Sequence, residues 1–202
     1  MGAPMMMETT ATYASTLPRS VPSTHGGSTT TASLEETYTS LIQEYLQVMC
    51  LENATFLAER LVATCKSSTN ALYLLAVCHY RSGAPRRALM VLEDVKQSNH
   101  ATDYLTSKCC YDLEYYGRAE EALLQQARAD WKEGMATATN TATTSMDDWL
   151  LETSPCPIPN GAAGMYLLGN ICRKSSRKDR AMKYYRMSLQ VRRSFNNGAI
   201  YR

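Results

Sequence analysis

Apolar and small residues recur along this chain with a helical spacing and a longer superposed period. Leu72 is followed by Leu75-Ala76, His79, Gly83, Ala88 and Leu92. Thirty-four residues upstream the same columns hold Tyr38, Leu41-Ile42, Tyr45, Ala54 and Ala58. The same step downstream gives Thr106, Cys109-Cys110, Leu113, Gly117, Ala122 and Gln126. A fourth set follows out of phase, as Met165, Leu168-Gly169, Cys172, Ala181 and Tyr185. Residues three and four apart share one helical face. Small residues at the Ala and Gly columns let two helix backbones approach closely, and Gly83 and Gly117 can end a first helix at positive φ. The pattern predicts an all-α array of helical hairpins.

A period of 34 is that of the tetratricopeptide repeat, whose units stack into a right-handed superhelix. One such unit cannot bury its apolar face alone, so the chain reads as a binding and assembly device before it reads as an enzyme. The periodic segments predict hairpins over 34–65, 70–96 and 102–127, and a fourth from 162 to about 195. Residues 1–33 are rich in Thr, Ser, Met, Pro and Gly. They bury too little apolar area to offset ordering entropy, and a disordered tail is expected. Residues 128–161 break phase with a Thr-rich string from Ala136 to Thr144 and with Pro155, Pro157 and Pro159. They predict a flexible insertion that loops out of the array, with a short helix from Met146 to Leu151. Residues 196–202 are expected to form a tail. With no polar capping helix before Arg202, a further module or a partner is expected over that end.

Composition narrows the function. Net charge is +2, so no strong field points to nucleic acid. Residues 173–193 carry nine Lys or Arg against one Asp, which reads as a solvated helix face and a basic turn. Seven cysteines without a CxxC pair read as reduced, buried, small apolar side chains. Three histidines fall in the tail (His25), on a packing column (His79) and in a turn (His100). No catalytic arrangement, metal site or glycine-rich phosphate loop is expected, and no cofactor or small-molecule substrate. No stretch approaches the ~18 apolar residues of a membrane span, and with neither a basic start nor a continuous apolar run the N-terminus is not expected to be a secretory signal. Asn53 reads as a helix N-cap rather than a glycosylation acceptor.

Specific strings go beyond the repeat columns. Asn53 to Leu61 (NATFLAERL), Ala71 to Gly83 (ALYLLAVCHYRSG) and Lys108 to Leu113 (KCCYDL), with Leu167-Leu168-Gly169 and Lys183-Tyr184-Tyr185, resemble one family. It is the cell-division-cycle-twenty-seven family, scaffold subunits of the anaphase-promoting complex (cyclosome), a multi-subunit ubiquitin ligase of mitosis. The likeness covers about 38–125 and 162–195. The family usually has Tyr at position 79 and Pro at 193, where this chain has His and Arg. Its members are several times longer and carry a second repeat array. The resemblance implies a non-catalytic scaffold in nucleus and cytoplasm. Its implied partners are a second copy and other subunits of the complex, with no nucleic acid or membrane.

In this repeat the first helices line a concave groove. The expected lining is Thr39, Gln43, Leu46, Tyr73, Val77, Tyr80, Tyr111 and Glu114, with Arg173 in the fourth unit. Ala54, Ala88, Ala122, Gly83, Gly117, Gly169, Ala181 and Tyr185 are expected to pack the repeats. Aromatic and aliphatic lining residues mark a protein interface, and an apolar helix from a second copy is the expected occupant. The alternative is a co-chaperone-type adaptor that grips an acidic peptide tail. The places of its Lys, Asn and Arg clamp hold Thr39, Gln43, Tyr80, Cys110 and Glu114 here, and none of these is basic.

Overall fold

Two helix starts in this chain are fixed by side-chain caps, at Ser68 and Asn99. The helix that begins at Leu51 follows Cys50 with no side-chain cap, and holds Asn53 in its first turn rather than at its N-cap. Asn99 accepts from the amides of Ala101 and Thr102 at 2.9 and 3.0 Å, while the Thr102 hydroxyl accepts from the Asn99 amide at 2.8 Å. This reciprocal box starts a helix at His100, so His100 is a first-turn residue rather than part of a loop. Ser68 caps the preceding first helix by accepting from the Ala71 amide, and Pro85 occupies the first turn of the next one, where its missing N–H matters least.

The computed structural model describes residues 29–65, 68–137, 146, 149–150 and 157–199. Within them lie four hairpins. They are α1 (Thr29–Gln47) with α2 (Leu51–Thr64), α3 (Thr69–Arg81) with α4 (Pro85–Glu93), α5 (His100–Asp112) with α6 (Tyr116–Thr137), and α7 (Ala162–Lys174) with α8 (Lys178–Ala199). No strand occurs among the described residues. Each first helix packs on the next, α1 on α3, α3 on α5 and α5 on α7, so the four form one continuous layer. The second helices α2, α4 and α6 pack against the first helix that follows, the stacking order of a helical solenoid.

The hairpins do not all repeat at 34. Met49, Gly83, Glu114 and Ser176 occupy the same turn apex, each with φ between 61° and 75°. The intervals are 34 from Met49 to Gly83, 31 from Gly83 to Glu114, and 62 from Glu114 to Ser176. The slip has a local cause. α4 has 9 residues where α2 has 14, so α5 starts 15 residues after the start of α4, whereas α3 starts 18 after the start of α2.

This re-phasing corrects two expected packing residues. The second-helix alanine column is Ala54, Ala88, Ala119 and Ala181, all buried, and Ala122 is only half-buried one turn further on. Gly117 lies exposed in the first turn of α6 without positive φ, and Glu114 takes the left-handed turn position instead. The first-helix small column is Ala76, Ser107 and Gly169. The buried Ser107 hydroxyl donates to the Ala119 carbonyl at 2.8 Å, which joins the two columns of one hairpin directly. At Gly169 a Cβ would stand 2.4 Å from a ring carbon of Tyr185, so only Gly admits that ring.

The segment boundaries also shift. α1 begins at Thr29, inside the stretch expected to be a tail, because a helix nucleated around Leu34 propagates at little cost. α6 continues past residue 127 to Thr137 through the helix formers Arg128, Ala129, Lys132 and Glu133. α8 continues past residue 195 to Ala199. The stretch 128–161 does not wholly leave the array. Leu150 and Ile158 are buried in the main core with Met165 and Leu168, and Pro159 is buried beside them. Met146, Trp149 and Leu150 of the expected short helix are helical. Most of the expected tail (1–28), most of the Thr-rich string (138–145) and residues 200–202 lie outside the described residues.

Two buried clusters hold the layers. One joins α1, α2 and α3 through Ile42, Leu46, Ala58, Leu61 and Leu74, and the other runs from α3 to α8. Val77 and Val91 touch both. Polar links tie successive hairpins as well. Arg118 reaches back to Glu93 at 2.6 Å, a pair about half exposed and therefore weak. Arg180, at the same place in the fourth hairpin, reaches back to Glu120 at 3.5 Å, and Arg177 grips the same carboxylate with both nitrogens at 3.1 and 2.6 Å.

Gly169→Ala is expected to destabilise the chain by about 1–3 kcal/mol through overpacking against Tyr185. Gly117→Ala, with nothing within 4 Å of its new Cβ, is expected to stabilise it by roughly 0.4–1 kcal/mol. Urea unfolding of the two variants beside the parent chain measures both signs.

Candidate functional site

With the phase corrected, the first-helix layer presents three columns. One runs Thr39, Tyr73, Tyr104, Tyr166, the next Gln43, Val77, Lys108, Asn170, and the third Leu46, Tyr80, Tyr111, Arg173. Of the nine lining residues expected from sequence, seven stand on this face, Leu46 lies in its third column but is buried behind it, and one is set aside. Glu114 leaves the set, because it forms the α5–α6 turn. Four residues join it: Tyr104, Lys108, Tyr166 and Asn170. The Asn99 cap was the available signal for them, since it places the start of α5 and makes Tyr104 the counterpart of Tyr73.

The centre of this face is aromatic and organised. Lys108 Nζ sits 4.6 Å from the Tyr80 ring centroid and 5.8 Å from that of Tyr104. Cation–π attraction holds its charge between the two rings. The Tyr80 hydroxyl donates to the Asp112 carboxylate, and burial together with that bond pushes its pKa above the ordinary tyrosine range. Tyr111 meets Tyr116 edge-on with centroids 5.9 Å apart. Tyr73, Val77, Tyr80, Tyr104 and Tyr111 are all half-buried, backed by the main core and open on the other side.

The two ends of the face differ from its centre. Leu46 is 6% exposed and belongs to the first core cluster, so it backs the face rather than lining it. Its carbonyl accepts from Arg81 Nη1 at 2.9 Å. Thr39 Oγ1 accepts from Asn70 at 3.4 Å, and Gln43 is exposed. At the far end Tyr166 and Arg173 are exposed. The Tyr185 hydroxyl donates to Asn170 Oδ1 at 2.8 Å, and its ring lies 5.5 Å from that of Tyr166. A half-buried aromatic centre with polar ends is the anatomy of a protein-binding surface.

The titratable groups around this face are tuned for packing. Burial pushes the Cys78 thiol up to about 11 and the Cys109 thiol up to about 12, and Cys110 is raised by the same cause. Each thiol stays neutral at pH 7, the inert condition of a buried cysteine. Burial lowers His79, Glu59 opposes that and Arg87 adds to it, so the ring is neutral at pH 7. Among the described residues no group of three or more His, Cys, Asp or Glu is placed to hold a metal ion, and no helix is long and apolar enough to cross a membrane.

Residues 49–126 match the family model described as anaphase-promoting complex, cyclosome, subunit 3. That match spans the first three turn apices and the aromatic centre of the face. The array is Cdc27-like. The chain is 31% identical over 156 residues to cell division cycle protein 27 homolog A of Arabidopsis thaliana, covering 77% of this chain and 18% of that protein. It is 38% identical over 90 residues to the Homo sapiens homolog, covering 45% of this chain and 11% of that protein. The chain thus spans less than a fifth of the curated relatives it matches. Among solved structures, MamA superposes with a TM-score of 0.57 at 14% identity, covering 81% of each chain. A structure titled Cdc27 N-terminus superposes with a TM-score of 0.53 at 20% identity, covering 76% of this chain and 60% of that one. At these identities the two superpositions establish the tetratricopeptide-type solenoid fold.

At pH 8 a maleimide is expected to modify the exposed Cys50 and to leave Cys78, Cys109 and Cys110 unmodified until the chain unfolds. Peptide mapping by mass spectrometry reads this directly, and equal labelling of Cys109 and Cys50 would contradict it. The same shift sets a pH dependence. The folded thiol of Cys109 is raised above its ordinary value of 9, so its contribution is complete below pH 9 and is lost as pH rises toward about 12.

Proposed function

We propose that this chain is a non-catalytic scaffold of the anaphase-promoting complex and that its first-helix face receives α1 of a second copy. The observation that carries the reading is a second apolar stripe on α1. Ile42 and Leu46 fill the chain's own core, while Leu34 and Leu41 on α1, and Val48 in the turn just past its end, remain 38%, 39% and 62% exposed at intervals of seven. A spacing of seven keeps side chains on one side of a helix. One chain thus carries both an uncovered apolar helix edge and a half-buried tyrosine face, which suits a two-fold pair in which each copy supplies both halves.

Charge supports the same pairing. Glu36 and Glu44 are exposed on α1, and Lys108 and Arg173 stand on the face. The aromatic centre is held by its own cation–π and hydrogen-bond contacts, so little side-chain freedom is lost when a partner docks. Association with other subunits of the complex follows from the likeness to Cdc27 proteins, and placement in nucleus and cytoplasm goes with that role. The ubiquitin-transfer chemistry belongs to other components in this reading.

Replacing Tyr73 and Val77 with Glu is expected to give a folded monomer. Two central contacts at about 2 kcal/mol each correspond to a roughly thousandfold weaker association. Leu41→Glu, on the opposing half of the contact, is expected to do the same. Sedimentation at micromolar concentration, with circular dichroism to check folding, measures this, and a monomeric parent chain would end the pairing reading. Capture of cyclosome subunits rather than acidic chaperone tail peptides separates the scaffold role from the adaptor role.

A further inference from the structure

The four turn apices share a left-handed backbone but not a side chain. Glycine takes that conformation freely, and Gly83 fits it. Met49, Glu114 and Ser176 hold it against the steric preference of an L-residue. Backbone geometry therefore does not account for a serine at 176. Its setting does offer a reason. The sequence around it is Arg173-Lys174-Ser175-Ser176-Arg177-Lys178, and Arg173, Lys174, Ser176 and Lys178 are exposed. Basic residues three and two places before a serine are what the acidic substrate groove of a basophilic kinase recognises. The third hairpin already carries an anion at this apex, since Glu114 is exposed there, so the turn accommodates negative charge.

The residue after Ser176 is a structural clamp. Arg177 grips Glu120 of α6 with both guanidinium nitrogens, and Arg180 adds a third contact at 3.5 Å. Glu120 is 8% exposed and is the one carboxylate among the buried residues of the described chain. This cluster spans α6 and α8 across 57 to 60 residues of sequence, so it bears directly on how the fourth hairpin seats on the third.

We propose that Ser176 is a phosphorylation site for a basophilic serine kinase, and that the phosphate draws Arg177 away from Glu120 and loosens the fourth hairpin. The Ser176 hydroxyl oxygen attacks the γ-phosphorus of ATP. The bond from that phosphorus to the β–γ bridging oxygen breaks, ADP leaves with the electron pair, and the hydroxyl proton passes to the kinase's base. The product places about −1.5 to −2 charges beside Arg177. An exposed dianion competes well for a guanidinium through charge-assisted hydrogen bonds. Glu120, buried and stripped of its bidentate partner, then disfavours the packed arrangement.

The test uses the full chain, ATP and the catalytic subunit of cyclic-AMP-dependent protein kinase, with sites mapped by mass spectrometry. The expected result is phosphate on Ser176, absent from Ser176→Ala, with Tm lowered by about 2–4 °C. Amide exchange in the first turns of α8 is expected to quicken. In a Glu120→Gln chain, where the clamp is already weakened, the same phosphate should leave Tm almost unmoved. Phosphate confined to other residues would overturn the proposal. So would a phosphorylated Ser176 with unchanged Tm, or an equal Tm drop in Glu120→Gln.

Discussion

Everything in this array depends on how closely the two helices of each hairpin approach. In three of the four hairpins both helices carry a small residue in the packing columns: Ala76 and Ala88, Ser107 and Ala119, Gly169 and Ala181. The first hairpin has the buried Ile42 in the column of Ala76 and a small residue only on its second helix, at Ala54. At Gly169 a larger side chain would meet the Tyr185 ring, and at Ser107 it would meet the Ala119 carbonyl. The first-helix layer exists only because these contacts hold its members at one depth. The Ser107 hydroxyl shows how little room there is. It is buried, yet it satisfies itself on the Ala119 carbonyl without separating the pair. The tyrosine face is a consequence of this packing, because half-buried rings need a layer behind them and space in front.

The same constraint explains which parts of the fold were legible in the sequence. Hydrophobic periodicity and the 34-residue step predict the hairpin architecture, and the first two hairpins obey that step, Ala54 and Ala88 included. The third does not. Ala122, Gly117 and the Cys109-Cys110 pair fit the columns at 34 by coincidence of composition, whereas the packed alanine is Ala119. A second helix can shorten by five residues, and the repeat interval by three, without losing the stack, because the contacts that matter lie near the turn. Period alone cannot detect such a slip. The Asn99 capping box detects it, since it fixes where α5 starts from local hydrogen bonding.

The face itself was legible in part. Tyr73, Val77 and Tyr80 keep their places under either phase, Tyr111 stays on the face but moves from the column of Val77 to that of Tyr80, and Arg173 keeps its own. Tyr104 and Lys108 were hidden by the slip, although they supply the ring and the charge that organise the centre. The proposed opposing half, Leu34 and Leu41 with Val48 just past the helix end, is a second apolar stripe beside one that is already used. Periodicity finds the first stripe and passes over the second, which shows only when burial tells the filled side from the uncovered one. The long-range clamp of Glu120 by Arg177 and Arg180 was likewise beyond any local pattern.

The central claim is that the tyrosine face is made to be filled by α1 of another copy. A photo-reactive benzophenone amino acid placed at Tyr111 tests it most directly, with cross-linked peptides identified by mass spectrometry in a mixture of isotopically light and heavy chains. The account predicts light–heavy cross-links from position 111 to residues 34–48. Cross-links confined to one chain, running from position 111 to its own 138–156 stretch, would contradict it.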